Sequence, residues 1–329
     1  MNTHLMASPP TAVQNSHEAA AATPRFADTP RSFLVTGGTG FIGQRLISAL
    51  LRDGHRVTVL TRRVHAAARC FDGRVECVAS LAQLPSSCRF DAVVNLAGAR
   101  ILGWRWTAAR RAVLRQSRVG LTRELVDWMA AAEHKPAMLL SASAIGYYGT
   151  QLRGDDTELS EQAGPQAMFM SDLCREWEQA AHAAEACGVR VACMRFGLVL
   201  GAGGALPMML LPIKLGLGGP LGGGRQWLSW IHIDDLIGGI AHLYRTQAAG
   251  DFNFTAPEAL SQAAFSRVAA SVLRRPFGLP TPGWPLRLAL GAQADLLLEG
   301  QRVVPARLLS SGFTFAYPRL EGALRNLLN

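Results

Sequence analysis

Apolar residues along the chain fall into short runs, separated by glycine turns and by segments in which they recur at every third or fourth position. The first run is SFLVT, from Ser32 to Thr36, followed by a glycine turn, the helical stretch FIGQRLISALLRDG and a second run, HRVTVLTRR. Strand, helix and strand at this spacing predict a βαβ unit with parallel strands. Further runs, DAVVNLAG, AMLLSAS and VRVACMRFGLVLG, alternate with helical stretches, of which RRAVLRQSRVGLTRELVDWMAAAEH is the longest. The alternation predicts an α/β fold, a doubly wound parallel sheet over residues 32–200. Beyond residue 201 the pattern loosens into GAGGALPMMLLPIKLGLGGPLGGG, which predicts a smaller C-terminal lobe over 201–329. Part of 226–256 still reads as strand and is expected to complete the sheet, with a compact cap from about 275 to 329. Residues 1–31 carry several prolines and no apolar periodicity, and are expected to be a disordered extension.

Composition narrows this picture. A chain of 329 residues that is 49% hydrophobic can bury a sizeable core. Six cysteines without a CxxC pair predict a reducing, cytoplasmic setting. No window offers 18 uncharged apolar residues, so no membrane span is expected, and the N-terminus lacks the apolar stretch of a signal peptide. The net charge of +9 comes from scattered arginines that form no run, so no nucleic-acid partner is expected.

Candidate chemistry begins at LVTGGTGFIGQRL, with glycines at 37, 40 and 43 between a strand and a helix. Gly37 permits the tight turn, Gly40 a close approach of backbone to pyrophosphate, and Gly43 close packing of helix on strand. Thr39, Phe41 and Ile42 complete this phosphate-facing loop of a Rossmann dinucleotide site, the helix N-terminus presenting its amides. An NAD site usually carries an acidic residue at the end of the second strand. Here the chain reads Thr61, Arg62, Arg63, which predicts the 2′-phosphate of NADP(H) instead. Other strand ends expected to line the cofactor are Leu96, Ala97 and Gly98; Ser141; and Arg195 with Leu198. Arg118, on the long helix, is a further candidate for a phosphate or ribose contact. No metal site is expected: His232, Asp234 and Asp235 of WIHIDDL are read as a helix cap with interlobe bonds, because no second His or Cys cluster accompanies them. Trp227 and Trp230 flank that turn as stacking or packing residues. GDDTELSE, ending at Glu161, reads as a solvated loop.

TGGTGFIG, VVNLAGA, SASAIGYYG, RFGLVLG and WIHIDDL, together with GLGGPLGGGRQWLSWIHIDDL and VVPARLLSSGFTFAYPRLEGAL, resemble the epimerase-family branch of the extended and atypical short-chain dehydrogenase/reductases, over residues 32–329. That resemblance implies an NADP(H)-dependent oxidoreductase or epimerase-like enzyme with a small-molecule substrate, polar or sugar-like, and Ser143 as the serine that hydrogen-bonds the substrate oxygen. It also implies a Tyr-x-x-x-Lys pair, whose lysine lowers the tyrosine's pKa and holds the nicotinamide ribose. The pair is missing: Met168 and Asp172 stand at its expected place, and the residues four before Lys135 and Lys214, the chain's two lysines, are Ala131 and Leu210. Tyr147 and Tyr148, beside Ser143, are the remaining candidates for moving a proton or walling the substrate pocket. Without the pair, a second reading stays open, a non-catalytic NADP(H)-binding sensor.

Overall fold

The computed structural model describes residues 25–328 apart from 102, 104, 153 and 279. Its strands are β1 (Ser32–Thr36), β2 (Arg56–Leu60), β3 (Glu76–Val78), β4 (Ala92–Asn95), β5 (Met138–Ala144), β6 (Arg190–Phe196), β7 (Leu198–Leu200), β8 (Trp227–Leu228), β9 (Trp230–His232), β10 (Gly250–Phe254) and β11 (Leu260–Ser261). Seven of them form one parallel sheet in the order β10-β6-β5-β4-β1-β2-β3. The order reverses beside β1, between β2 and β4, and the crevice opens there at the carboxyl ends of the strands. The helices used below are α1 (Phe41–Arg52), α2 (Val64–Cys70), α3 (Ala108–Arg115), α4 (Leu121–Ala131), α5 (Phe169–His182), α6 (Leu206–Lys214), α7 (Ile233–Thr246), α8 (Gln262–Val272), α9 (Trp284–Leu290), α10 (Asp295–Leu298), α11 (Ala306–Ser310) and α12 (Leu320–Leu328).

The alternation of each strand explains the layering. Phe33, Val35, Val57, Val59, Val94 and Met194 face one side and pack on Leu46, Ile47 and Leu50 of α1 and on Leu236 and Ile240 of α7. Leu34, Val93, Leu139 and Val191 face the other and pack on Leu125 and Met129 of α4 and Ala181 of α5. A third core, around Trp230, Phe265 and Leu324, joins α6, α8 and α12 into the C-terminal lobe.

The expected extension lies outside the described residues up to 24, but its last part is built into the fold. Phe26 is fully buried against Phe33 and Tyr244, and its amide donates to the Asp53 carboxylate at 2.7 Å. Residue 26 therefore belongs to the core rather than to a disordered segment. One further expectation changes. Glu161 is no solvated residue: its Oε1 accepts the amides of Asn253 and Arg307, pinning the loop to β10 and α11. In WIHIDDL the cap of α7 is His232, whose Nδ1 accepts the Asp234 amide, while Asp235 accepts the amides of Ala316 and Tyr317 and so ties the C-terminal segment to α7. No helix among the described residues is long and apolar enough to cross a membrane.

Candidate active site

The glycine loop is shaped by contacts that only glycine allows. Gly37 has φ +67°, and a Cβ on it would sit 2.6 Å from the Leu96 carbonyl oxygen. A Cβ on Gly43 would strike the Gly37 carbonyl oxygen, so α1 starts directly against the end of β1. The N-terminus of α1 has no side-chain cap and no acidic residue in its first turn, so its amides are open to an anion and no carboxylate competes for them. The structure thus brings Gly37, Thr39, Gly40, Phe41 and Ile42 to one edge of the crevice. Leu96, Ala97 and Gly98 meet them from β4: the Leu96 and Ala97 amides bond the Thr36 carbonyl and hydroxyl respectively. Thr61 follows β2, and Arg62 beside it is exposed, with no carboxylate partner among the described residues. A dinucleotide fits this cradle, whose backbone would be filled by any side chain at Gly37 or Gly43.

Other expected cofactor contacts are held elsewhere. Ser141 is fully buried, and its hydroxyl accepts a bond from Asn95 inside a polar ladder that runs Thr36, Asn95, Ser141 across the sheet. Leu198 is half-buried and paired with Trp230 in the short β7–β9 sheet. Trp230 is fully buried in the third core, which leaves it no ring face for a substrate, and the Trp227 indole donates to the Asp155 carbonyl.

Arg195 is 1% exposed, and its guanidinium is consumed by protein. Nε and Nη2 grip Glu178 at 2.8 Å each, Nη2 also reaches Asp251 at 2.8 Å, and Nη1 donates to the Tyr148 hydroxyl at 3.0 Å. The Tyr148 hydroxyl in turn donates to Asn253 Oδ1 at 2.7 Å, and the residue is 1% exposed. Burial pushes its phenol up to about 12 despite Arg195. Ser143 donates to Glu178 Oε1 at 2.6 Å and is itself buried. Ser143 and Tyr148 thus spend their hydroxyl protons, and Arg195 four of its five N–H groups, inside the protein. They form one buried network that continues through Asp251 to His182 and Glu185 at the surface. His182 is pushed up to about 9, chiefly by its hydrogen bond to Asp251. Burial raises the carboxyl of Glu178, with Arg195 opposing.

Tyr147 differs from its neighbour. It is half-buried, and its ring covers the Arg195 guanidinium at 3.7 Å. Burial raises its phenol above the ordinary value, so at neutral pH it stays protonated.

At the place expected for the Tyr-x-x-x-Lys pair, both residues serve the helix itself. Met168 is the N-cap of α5, and Asp172 pairs with Arg175 at the surface. Met170 and Cys174 are the residues turned inward. A Cβ on Gly146 would meet Met170 Cε at 3.4 Å and Cys174 Sγ at 3.8 Å, and the Cys174 thiol, pushed by burial up to about 12, lies against Ser143 and Ala144. Met170 and Cys174 stand four apart, the spacing of a Tyr-x-x-x-Lys pair, and hold neither a phenol nor an amine. Glu178 was missed in the sequence. It is one turn further along the same apolar face of α5, beside Leu173, Trp177 and Ala181, where a lone carboxylate is the signal of a buried ion pair.

Comparison with known proteins places these features in context. The sequence profile described as "NAD dependent epimerase/dehydratase family" matches residues 33–254, and that of a "Domain of unknown function (DUF1731)" matches 281–327. The chain is 40% identical over 303 residues to the epimerase family protein SSP1921 of Staphylococcus saprophyticus, covering 91% of this chain and 100% of that protein. It is 40% identical over 305 residues to an Arabidopsis thaliana protein named as the chloroplastic homolog of epimerase family protein SDR39U1, covering 89% and 86%. The crystal structure of human epimerase family protein SDR39U1 with NADPH superposes with a TM-score of 0.80 at 34% identity, covering 90% of this chain and 98% of that one.

Proposed function

Because the chain belongs to the NAD dependent epimerase/dehydratase family, we propose that it is an NADP(H)-dependent oxidoreductase of the atypical short-chain type. Its substrate is a small polar or sugar-like molecule held between the strand ends and the C-terminal lobe. The observation that supports this reading is the start of α1, where the amides are uncapped, next to β2, which is followed by an exposed Arg62 with no carboxylate partner among the described residues. NADPH bound to the human relative supports it. Gly37, Thr39, Gly40, Phe41 and Ile42 hold the pyrophosphate, Thr61 and Arg62 the 2′-phosphate, and Leu96, Ala97 and Gly98 line the dinucleotide between them. Bidentate pairing of a guanidinium with phosphate gives Arg62 its preference for NADP(H).

The bound cofactor supplies hydride. The protein's part is to orient the substrate and hold a proton, and Tyr147 is the group suited to it. Its phenol stays protonated, so it donates a hydrogen bond to a substrate oxygen rather than removing a proton. That arrangement favours reduction of a carbonyl. Ser143 and Tyr148 set the shape of the loop through the Glu178–Arg195 network.

The test is consumption of NADPH by the full chain across a panel of small aldehydes, ketones and keto-sugars, with Tyr147→Phe beside the wild type. Turnover that falls tenfold or more in the variant with KM little changed supports proton donation by Tyr147. Turnover unchanged would reduce Tyr147 to a wall of the pocket, and binding of NADPH with no turnover on any compound would count against the enzyme reading.

A further inference from the structure

Of the arginines without a carboxylate partner among the described residues, Arg118 is buried against the Gly98 backbone and the Trp177 ring beside the crevice. Another group lies at the surface of the C-terminal lobe and shares it with apolar side chains left in water.

α6 is the centre of this face. Its sequence, LPMMLLPIK, contains one polar residue, Lys214. Leu206, Leu210 and Ile213 pack into the third core. Met208, Leu211 and Leu215, spaced by three and four along the opposite side and its end, are 78%, 57% and 66% exposed. A helix apolar all round is normally covered all round, and a contiguous apolar surface left open marks a docking face. That surface continues past the helix to Leu217 and Phe277, both exposed. The two segments are joined, because the Gly278 amide donates to the Gly218 carbonyl and a Cβ on Gly216 would meet Pro276 Cγ at 3.9 Å.

Cations rim the same face. Lys214 stands between Leu211 and Leu215, Arg274 and Arg275 come just before Phe277, and the Arg267 guanidinium lies over the Phe277 ring at 5.1 Å. All four are exposed, and none pairs with a carboxylate among the described residues. The sequence places none nearby: there is no aspartate or glutamate between Glu185 and Asp234, or between Glu258 and Asp295. Apolar side chains ringed by cations match the interface of an anionic bilayer, where the former enter the acyl boundary and the latter meet headgroup phosphates. A second copy packed here about a two-fold axis would instead bring the same cations together with no carboxylate between them.

We propose that this face docks the protein peripherally on an anionic membrane surface. α6 lies in the plane of the interface, with Met208, Leu211 and Leu215 towards the acyl chains and Lys214, Arg274 and Arg275 towards the phosphates. No spanning helix is needed for this.

Cosedimentation of the full chain with vesicles tests it, one set made of phosphatidylcholine alone and one of equal parts phosphatidylcholine and phosphatidylglycerol. The wild type is expected to partition onto the anionic vesicles at least about tenfold more strongly than onto the neutral ones, and to lose most of that preference when salt rises from about 0.1 M to about 0.5 M. Leu211→Gln with Leu215→Gln, and separately Lys214→Ala with Arg274→Ala and Arg275→Ala, should each weaken binding to the anionic vesicles about fivefold or more at an unchanged melting temperature. Should either set fail to fold, Leu217→Ser alone must weaken that binding by about twofold or more. A wild type that binds neither vesicle, that binds both equally, or whose binding survives the substitutions would overturn the proposal. Sedimentation velocity separates the other occupant: Leu211→Gln with Leu215→Gln is expected to leave the oligomeric state as it is, and a dimer that these substitutions split would assign the face to a second copy and overturn the membrane reading.

Discussion

Replacing Arg195 by methionine separates architecture from cofactor binding. The substitution strips Glu178 of both its guanidinium bonds at 2.8 Å, Asp251 of one at 2.8 Å and the Tyr148 hydroxyl of one at 3.0 Å. Glu178 is then a buried carboxylate whose remaining partner is Ser143, while Asp251 keeps His182. Removing one member of a buried pair costs roughly 3–5 kcal/mol. Unfolding entropy of about 2.1 cal/mol/K per residue over about 300 residues gives about 0.6 kcal/mol per degree, so the melting temperature should fall by about 5–8 °C. Adding Glu178→Leu should recover part of that loss, because the stranded charge goes with it. The assays are differential scanning calorimetry and NADPH titration on the same samples. Below the melting transition, NADPH affinity should stay within about twofold of wild type, since four of the five N–H donors of Arg195 are spent on Glu178, Asp251 and Tyr148. An Arg195→Met protein that keeps its melting temperature and loses NADPH would refute this reasoning and return Arg195 to the cofactor site.

Other outcomes follow from the same geometry. Gly37→Ala forces a β-carbon to within 2.6 Å of the Leu96 carbonyl at a φ of +67°, so it should lower stability by roughly 1–3 kcal/mol and abolish NADPH binding in whatever folds, measured by chemical denaturation and titration. His182, pushed up to about 9 by Asp251, is raised above its unfolded value near 6.5. Its contribution to stability is therefore complete below about pH 6.5 and disappears as pH rises through 9. Melting temperatures of His182→Gln should then fall less between pH 6.5 and 9.5 than those of the wild type; parallel curves would contradict the His182–Asp251 assignment.

Much of the fold was legible because its strands are buried on both faces and read as apolar runs, and because the glycine loop joins a strand to a helix in a spacing with a mechanical reason at each glycine. The edge strand β3 was not legible. It is three residues long, and Glu76 in its sequence meets Thr58 across the sheet rather than a core. Phe26 was read as part of a polar extension because a single aromatic residue carries no periodicity; only the pocket formed by Phe33, His55 and Tyr244 reveals its role. In the site, position along β5 correctly put Ser143 at a strand end, but side-chain direction decides what its hydroxyl meets. Ser143, Arg195 and Asn253 are neighbours across three strands, a register that no local pattern contains. The same holds for α5, where burial of Met170 and Cys174 against the loop after β5 appears only in the packed structure.

The crevice at the start of α1 is proposed to hold NADP(H) in preference to NAD(H), with the 2′-phosphate on Arg62. Calorimetric titration of the wild type and of Arg62→Ala with NADPH and NADH tests it in one experiment. Wild type is expected to bind NADPH at least about tenfold more tightly than NADH, and Arg62→Ala to lose most of that ratio by weakening NADPH alone. Equal or tighter binding of NADH by the wild type would contradict it.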